Sequence, residues 1–236
     1  LAGVFRNAGY TTGLVFDTPM FMTQGNYLDR GFGSIEWVRG QGGEPWISDA
    51  LHEVKQPASD DKVKPGVMRY LANQRDRLFE SDYLAPRVFT ESMHWLERNY
   101  VRDNFFLWID SWDPHEPWDP PQYYVDMYDP GYEGEELIYP CYGFSNFMSE
   151  KELNHVRALY AAEVTMVDRW LGMLWDTIDL LGLKENTIVL VMADHGHYFG
   201  DHGLQGKPWG DWGQLYEPMI HIPFMMYHPE AKMAGQ

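Results

Sequence analysis

The run Thr187-Ile188-Val189-Leu190-Val191-Met192-Ala193 passes into Asp194-His195-Gly196, and Gly206-Lys207 follows shortly after. An apolar, β-branched run of this kind reads as a strand buried on both faces, as in parallel sheets flanked by helices. Ligands in such sheets bind in the crevice at the carboxyl ends of the strands. Asp194 and His195 offer two metal donors there, Gly196 a tight turn, and Lys207 an ammonium suited to an oxyanion. The plainer alternative is an Asp that caps a turn beside an exposed His.

Working outward, the spacing predicts a helix over Leu1 to Ala8 capped by Gly9, then a strand from Tyr10 to Phe16. Thr23 to Lys64 is rich in Gly, Pro and charge, a long excursion with short elements around Tyr27 to Val38. Helices are predicted near Gly66 to Phe79 and Pro86 to Asn99, and a buried strand at Phe105 to Ile109. The Pro-rich run Asp110 to Trp118 cannot continue that strand. Pro120 to Asp126 reads as a short helix and Met127 to Phe147 as loop.

Ser149 and Glu152 have the spacing of a capping box. Leu153, Val156, Tyr160, Val164, Val167, Leu171, Leu174, Ile178 and Leu181 recur at steps of three and four, which predicts a long amphipathic helix closed by Gly182. Ile222 to Tyr227 reads as a last strand. Helix–strand alternation points to an α/β fold with a largely parallel central sheet sandwiched by helices.

The 236 residues are enough for one large domain. A formal charge of −17 repels a phosphate backbone, which excludes nucleic acid as a partner class. A single cysteine, Cys141, excludes an internal disulfide framework. No stretch approaches the roughly 18 apolar residues a membrane span needs, and no signal peptide is recognisable. Compartment is left open. The chain begins without Met inside a predicted helix, and reads as a piece of something longer.

Two strand ends carry polar clusters, Asp113 to Trp118 and Asp194 to Lys207; parallel strands in one sheet would put both on one rim. Here the chain resembles the sulfatase family of the alkaline phosphatase superfamily. The matching pieces are Phe-Phe-Leu-Trp-Ile-Asp at 105–110, Asp-Pro-His-Glu-Pro-Trp at 113–118, Val-Asp-Arg-Trp-Leu-Gly at 167–172, Glu-Asn-Thr-Ile-Val-Leu-Val-Met-Ala-Asp-His-Gly at 185–196 and Gly-Asp-His-Gly-Leu-Gln-Gly-Lys at 200–207. Leu1 to Tyr10 and Asp29 to Phe32 are similar to the segment that follows the nucleophile helix. The resemblance implies an alkaline phosphatase-like α/β domain over residues 1–236, incomplete because the N-terminal strand and nucleophile helix lie upstream.

It further implies sulfate-ester hydrolysis on a small-molecule or carbohydrate sulfate ester. Asp194 and His195 match the metal-ligand pair; Ca²⁺ is the family's ion, while the imidazole lets Mn²⁺, Zn²⁺ or Mg²⁺ compete. Lys207 matches the lysine on the sulfate oxygens, and His115 the histidine that binds sulfate or protonates the leaving alkoxide. His197 and His202 flank the metal pair, and His202 either touches substrate or is an exposed loop residue. His221 reads as a core or pocket residue. Arg39 reads as an anion clamp or, more simply, half of a surface ion pair.

The family's nucleophile, a formylglycine made from Cys or Ser in Cys/Ser-x-Pro-x-Arg, has no match, since Cys141 is followed by Tyr142-Gly143-Phe144. The upstream segment would have to supply it, so the chain alone is expected to be inactive. Three alternatives stand beside a sulfatase: a phosphonate monoester or phosphodiester hydrolase on the same scaffold, a non-catalytic anion-binding remnant, or a fragment whose uncovered sheet edge drives self-association.

Overall fold

Leu14, Val15 and Phe16 are almost wholly buried, so the strand that carries them is central rather than an edge. In the computed structural model, which describes residues 1–48, 64–207 and 215–230, helix α1 (Ala2–Asn7) leads into this strand, β1 (Thr11–Phe16). It runs parallel to β2 (Ser34–Trp37) on one side and to β3 (Phe105–Asp110) on the other. Gly13 faces Ser34 and Leu107, and Phe16 faces Trp37 and Asp110. Between β2 and β3 come α2 (Lys64–Asn73) and α3 (Leu84–Asn99). Residues 49–63 of the expected excursion lie outside the described residues.

After β3 follow α4 (Gln122–Val125), β4 (Gly143–Phe144) and the long helix α5 (Glu150–Leu180). The capping box forms as read: Ser149 Oγ accepts the Glu152 backbone N–H, and the Glu152 carboxylate accepts the Ser149 N–H. Gly182, at φ +72°, turns the chain out of the helix. Of the expected stripe, Val156, Leu174 and Ile178 are buried and Tyr160, Val167, Leu171 and Leu181 pack against the core. Ala158, Leu159, Ala162, Glu163 and Met166 face the core, while Val164 is exposed. The buried alanines Ala158 and Ala162 widen that face beyond the large apolar residues that a hydrophobic period picks out.

The remaining elements are β5 (Val189–Met192), β6 (Tyr198–Phe199), β7 (Leu204–Gly206), α6 (Glu217–Ile220) and β8 (Phe224–Tyr227). Here the reading of the opening run needs correction. β5 pairs antiparallel with β8, in a ladder separate from the parallel sheet among the described residues, and Ile188, Leu190 and Met192 are exposed. A continuous apolar run carries no record of which strand it will pair with or in which direction. A third ladder, β4-β7-β6, is antiparallel. The fold is nonetheless α/β with a parallel sheet and helices, as the alternation implied. No helix among the described residues is long and apolar enough to cross a membrane.

Two contacts lock the layers. Trp95 of α3 lies flat on β1 because Gly13 leaves room: a Cβ there would sit 2.4 Å from the indole. His155 of α5, 1% exposed, is gripped by Asp129 at 2.9 Å and Glu136 at 3.0 Å, and stacks on Tyr132 with ring centroids 3.5 Å apart. Burial alone would lower its pKa, but hydrogen bonds to Glu136 and Asp129 outweigh that and raise it.

Gly13→Ala is therefore expected to destabilise the fold by about 1–3 kcal/mol through overpacking, read from urea unfolding. Unchanged stability would mean that Trp95 moves freely. Since the folded pKa of His155 lies above the unfolded value of about 6.5, its contribution is complete below that pH and lost as pH rises through the folded value. Partly exposed Asp129 and Glu136 keep the effect modest. His155→Gln should flatten the stability profile over that window, and an unaltered profile would refute the latch.

Candidate functional site

The carboxyl ends of β1 and β3 are tied by side chains rather than by further ladder. Asp17 accepts the Trp112 backbone N–H at 2.7 Å, and the Thr18 hydroxyl donates to Asp110. The Gln41 amide donates to Asp113 at 3.1 Å and reaches Asp17 at 3.4 Å, while Asp113 also accepts the Ala85 N–H at the start of α3. These acids are buried, and so is Glu163 of α5. Burial, then the charge of Asp113, raises Asp17 and Glu163 well above the ordinary carboxyl range. Asp113 itself is pushed up to about 6, by burial and then by Asp119. A layer of buried acids with raised pKa values thus lies beneath the loop that carries His115.

His115 Nδ1 is 2.7 Å from its neighbour's carbonyl, Glu116 O. A carbonyl only accepts, so Nδ1 carries the proton and Nε2 presents a lone pair. Lys207, just beyond β7, donates to that Nε2 at 3.0 Å and to both Glu116 oxygens at 3.0 Å. Tyr142 packs flat against Gly206, whose φ of +84° turns the backbone so that Lys207 lies 5.3 Å from that ring. Two turns some ninety residues apart in sequence meet at one ammonium.

The Glu116 carboxylate has no exposed surface. Burial works to raise its pKa, but His115, Lys207 and His197 together hold it below the usual value. His115 is lowered by burial first and by Lys207 among others, against the pull of Glu116. His197 Nδ1 is 3.8 Å from Glu116, and its Nε2 is 3.1 Å from the Gln205 amide nitrogen. Enclosed by Trp118, Phe199 and Tyr142, it is pushed down to about 3 by burial and stays neutral. Trp112 covers His115 at 4.1 Å between ring centroids.

Asp194 and His195 lie on the same rim but do not join this cluster. Asp194 caps its own turn, accepting the His195 N–H at 2.9 Å, and its side chain is 88% exposed. His195 Nδ1 is 2.9 Å from Gly196 O, and its Nε2 is 3.6 Å from Asp194. The pair is rigidly based, because Gly196 donates to Met219 O at 2.8 Å and a Cβ there would meet Pro218 O at 1.9 Å. Asp194's charge is felt at Asp110 and that of His195 at His115. No group of three or more metal-ligating side chains converges among the described residues. Two donors fall short of the six to eight oxygens a Ca²⁺ ion takes, so the residues present do not make a metal cage on their own.

The structure therefore unites His115 and Lys207 and leaves Asp194 and His195 a short way off. Glu116 and His197, both central, did not stand out in the sequence. The usable signal for Glu116 was an acid between two prolines next to the candidate His. Arg39 forms an ion pair with Glu44 and lies over Trp37; the pairing is the simpler of its two readings, but the Glu44 carboxylate is buried rather than at the surface. His221 is neither core nor pocket: it is exposed and pairs with Glu217 at 3.2 Å. His202 stacks on Tyr216.

Comparison with known proteins is consistent along the chain. The family model described as Sulfatase matches residues 1–236. An arylsulfatase from Clostridium perfringens is 30% identical over 166 residues, which cover 63% of this chain and 33% of that protein. An ulvan-active sulfatase from Formosa agariphila is 34% identical over 167 residues, covering 69% and 30% respectively. The crystal structure of a phosphonate monoester hydrolase from Agrobacterium radiobacter superposes with a TM-score of 0.67 at 18% identity, covering 98% of this chain and 52% of that one. The chain spans about a third of the length of these curated relatives.

Removing one partner of a buried ion pair costs about 3–5 kcal/mol because the other charge is stranded. Glu116→Ala is expected near the lower end, since Lys207 keeps some solvent access, and Glu116→Gln should cost less. Unfolding in urea reads both, and equal, negligible losses would show that Lys207 needs no buried partner.

Proposed function

The chain belongs to the sulfatase family, and on that premise we propose that it carries the anion-holding and proton-transfer groups of a sulfuric ester hydrolase. The observation that carries the proposal is the single ammonium of Lys207 in contact with both His115 Nε2 and Glu116. Lys207 would hold the sulfuryl oxygens and follow charge as it develops on the ester oxygen. His115, with its proton fixed on Nδ1, has Nε2 as the atom that takes up and passes on a proton. Next to the negative charge of a bound sulfate its lowered pKa rises again, which turns Nε2–H into an acid for the departing alkoxide. Trp112 over the imidazole and the buried Glu116 limit the water that competes for that proton.

Formylglycine supplies the attacking oxygen where the family uses it. Its Cys/Ser-x-Pro-x-Arg motif does not occur among the 236 residues, so attack on sulfur is not a property of the residues in hand. The competing reading is a phosphonate monoester or phosphodiester hydrolase. The likeness to a phosphonate monoester hydrolase supports the shared scaffold, and Lys207 would serve a phosphoryl group equally well.

The test uses the full-length protein that contains this chain, with aryl sulfate and aryl phosphodiester substrates sharing one leaving group. Faster turnover of the sulfate supports the first reading and the reverse order supports the second. Lys207→Ala is expected to reduce turnover about 10²–10³-fold whatever the leaving group. His115→Ala should reduce it about 10²–10⁴-fold for an alkyl sulfate and far less for a nitrophenyl sulfate, whose phenolate needs no proton. Wild-type rates in both variants would sink the proposal.

A further inference from the structure

At the opposite end of the parallel sheet, where the strands begin, an open cavity of about 470 Å³ lies between α1, the start of β1, β2 and the end of α3. Three arginines line it: Arg6 from α1, Arg98 from α3, and Arg102 from the turn that follows. Against them the wall holds one acid, Glu36, which leaves a local excess of two positive charges (three minus one). Acidic residues outnumber basic ones 35 to 18 in this chain, so such a concentration of arginine runs against the background.

The arginine side chains are exposed, and the elements that carry them are anchored. The floor is Thr12 and Trp95, both buried, and the Trp95 indole N–H donates to Ser34 Oγ at 2.8 Å, which leaves the Ser34 hydroxyl proton for another acceptor. Gly13 lets Trp95 seat on β1, which anchors α3 and with it Arg98. On the other side Gly31, at φ +92°, approaches Gly3 so closely that a Cβ would lie 2.3 Å from its nitrogen, which anchors α1 and Arg6. Arg98 Nε donates to His94 O, and Glu91, not a wall residue, lies 3.9 Å away. Arg102 is oriented by Asn99 at 3.1 Å. Arg6 has no ion-pair partner among the described residues.

We propose that this cavity binds a tetrahedral oxyanion, a sulfate or phosphate group carried on a small polar molecule. Guanidinium forks match such groups bidentately, the Ser34 hydroxyl adds a donor, and the volume fits a one- or two-ring ligand. The cavity is distinct from the Lys207 cluster, since Thr11 and Asp17 mark opposite ends of β1, about 20 Å of strand apart. It holds whether or not the sulfatase reading of the other rim does.

Equilibrium dialysis of radiolabelled sulfate against the full-length protein that contains this chain, with chloride holding ionic strength constant, tests this. The unaltered protein and Lys207→Ala should each retain sulfate. The double variant Arg98→Ala/Arg102→Ala, made in the Lys207→Ala background, should bind it at least tenfold more weakly than Lys207→Ala alone, with an unchanged urea midpoint. Arg98→Lys/Arg102→Lys, which keeps the charge but loses the fork, should fall between. Competition by glucose 6-sulfate against glucose 6-phosphate then identifies which ester is preferred. Undiminished binding in the alanine double variant, or its loss in Lys207→Ala, would overturn the assignment.

Discussion

A carboxylate with no exposed surface, that of Glu116, is kept ionised by one ammonium and two imidazoles. Left alone in the interior it would carry a penalty of several kcal/mol, enough to reorganise the loop around it. Lys207 removes that penalty only if β7 and the turn after it are brought to the end of β3. The pairing thus dictates where two ladders that share no hydrogen bonds must sit relative to each other. His115 inherits its orientation from the same arrangement, through its contacts with the Glu116 carbonyl and with Lys207.

Beneath this charged knot lies a layer of opposite character. Asp17 and Glu163 are raised by burial and then by Asp113, and Asp113 by burial and then by Asp119, while Glu116 is lowered by its neighbours His115, Lys207 and His197. Carboxyls on neighbouring loops are therefore shifted in opposite directions. Asp17 and Asp113 act as hydrogen-bonded struts between β1, β3 and the start of α3, and Glu116 organises the rim.

Much of this was legible in the sequence where local chemistry decides the outcome. The Ser149–Glu152 cap, the Gly182 exit and the strand at Phe105 are properties of short windows, and all three form. The convergence of His115 with Lys207 was reachable through family likeness. What local windows do not hold is partner choice. The apolar run at 187–193 gave no sign that its central residues would pair with Phe224–Tyr227 and stay half exposed. Nor could periodicity show that Ala158 and Ala162 would be buried while Val164 stays exposed. Glu116 was not singled out, and His197 was read only as flanking Asp194 and His195, because their importance comes from being buried together, which is a tertiary fact.

The three partners of Lys207 match the three N–H bonds an ammonium has to offer. At rest the protein thus keeps a resident anion of its own, the Glu116 side chain, in the place a visitor would want. Any incoming ester has to evict it, and its apparent affinity is scaled down by the small fraction of molecules in which the lysine is already released. Such self-occupancy sets a threshold: a visitor must offer Lys207 at least as many oxygen contacts as Glu116 already gives it.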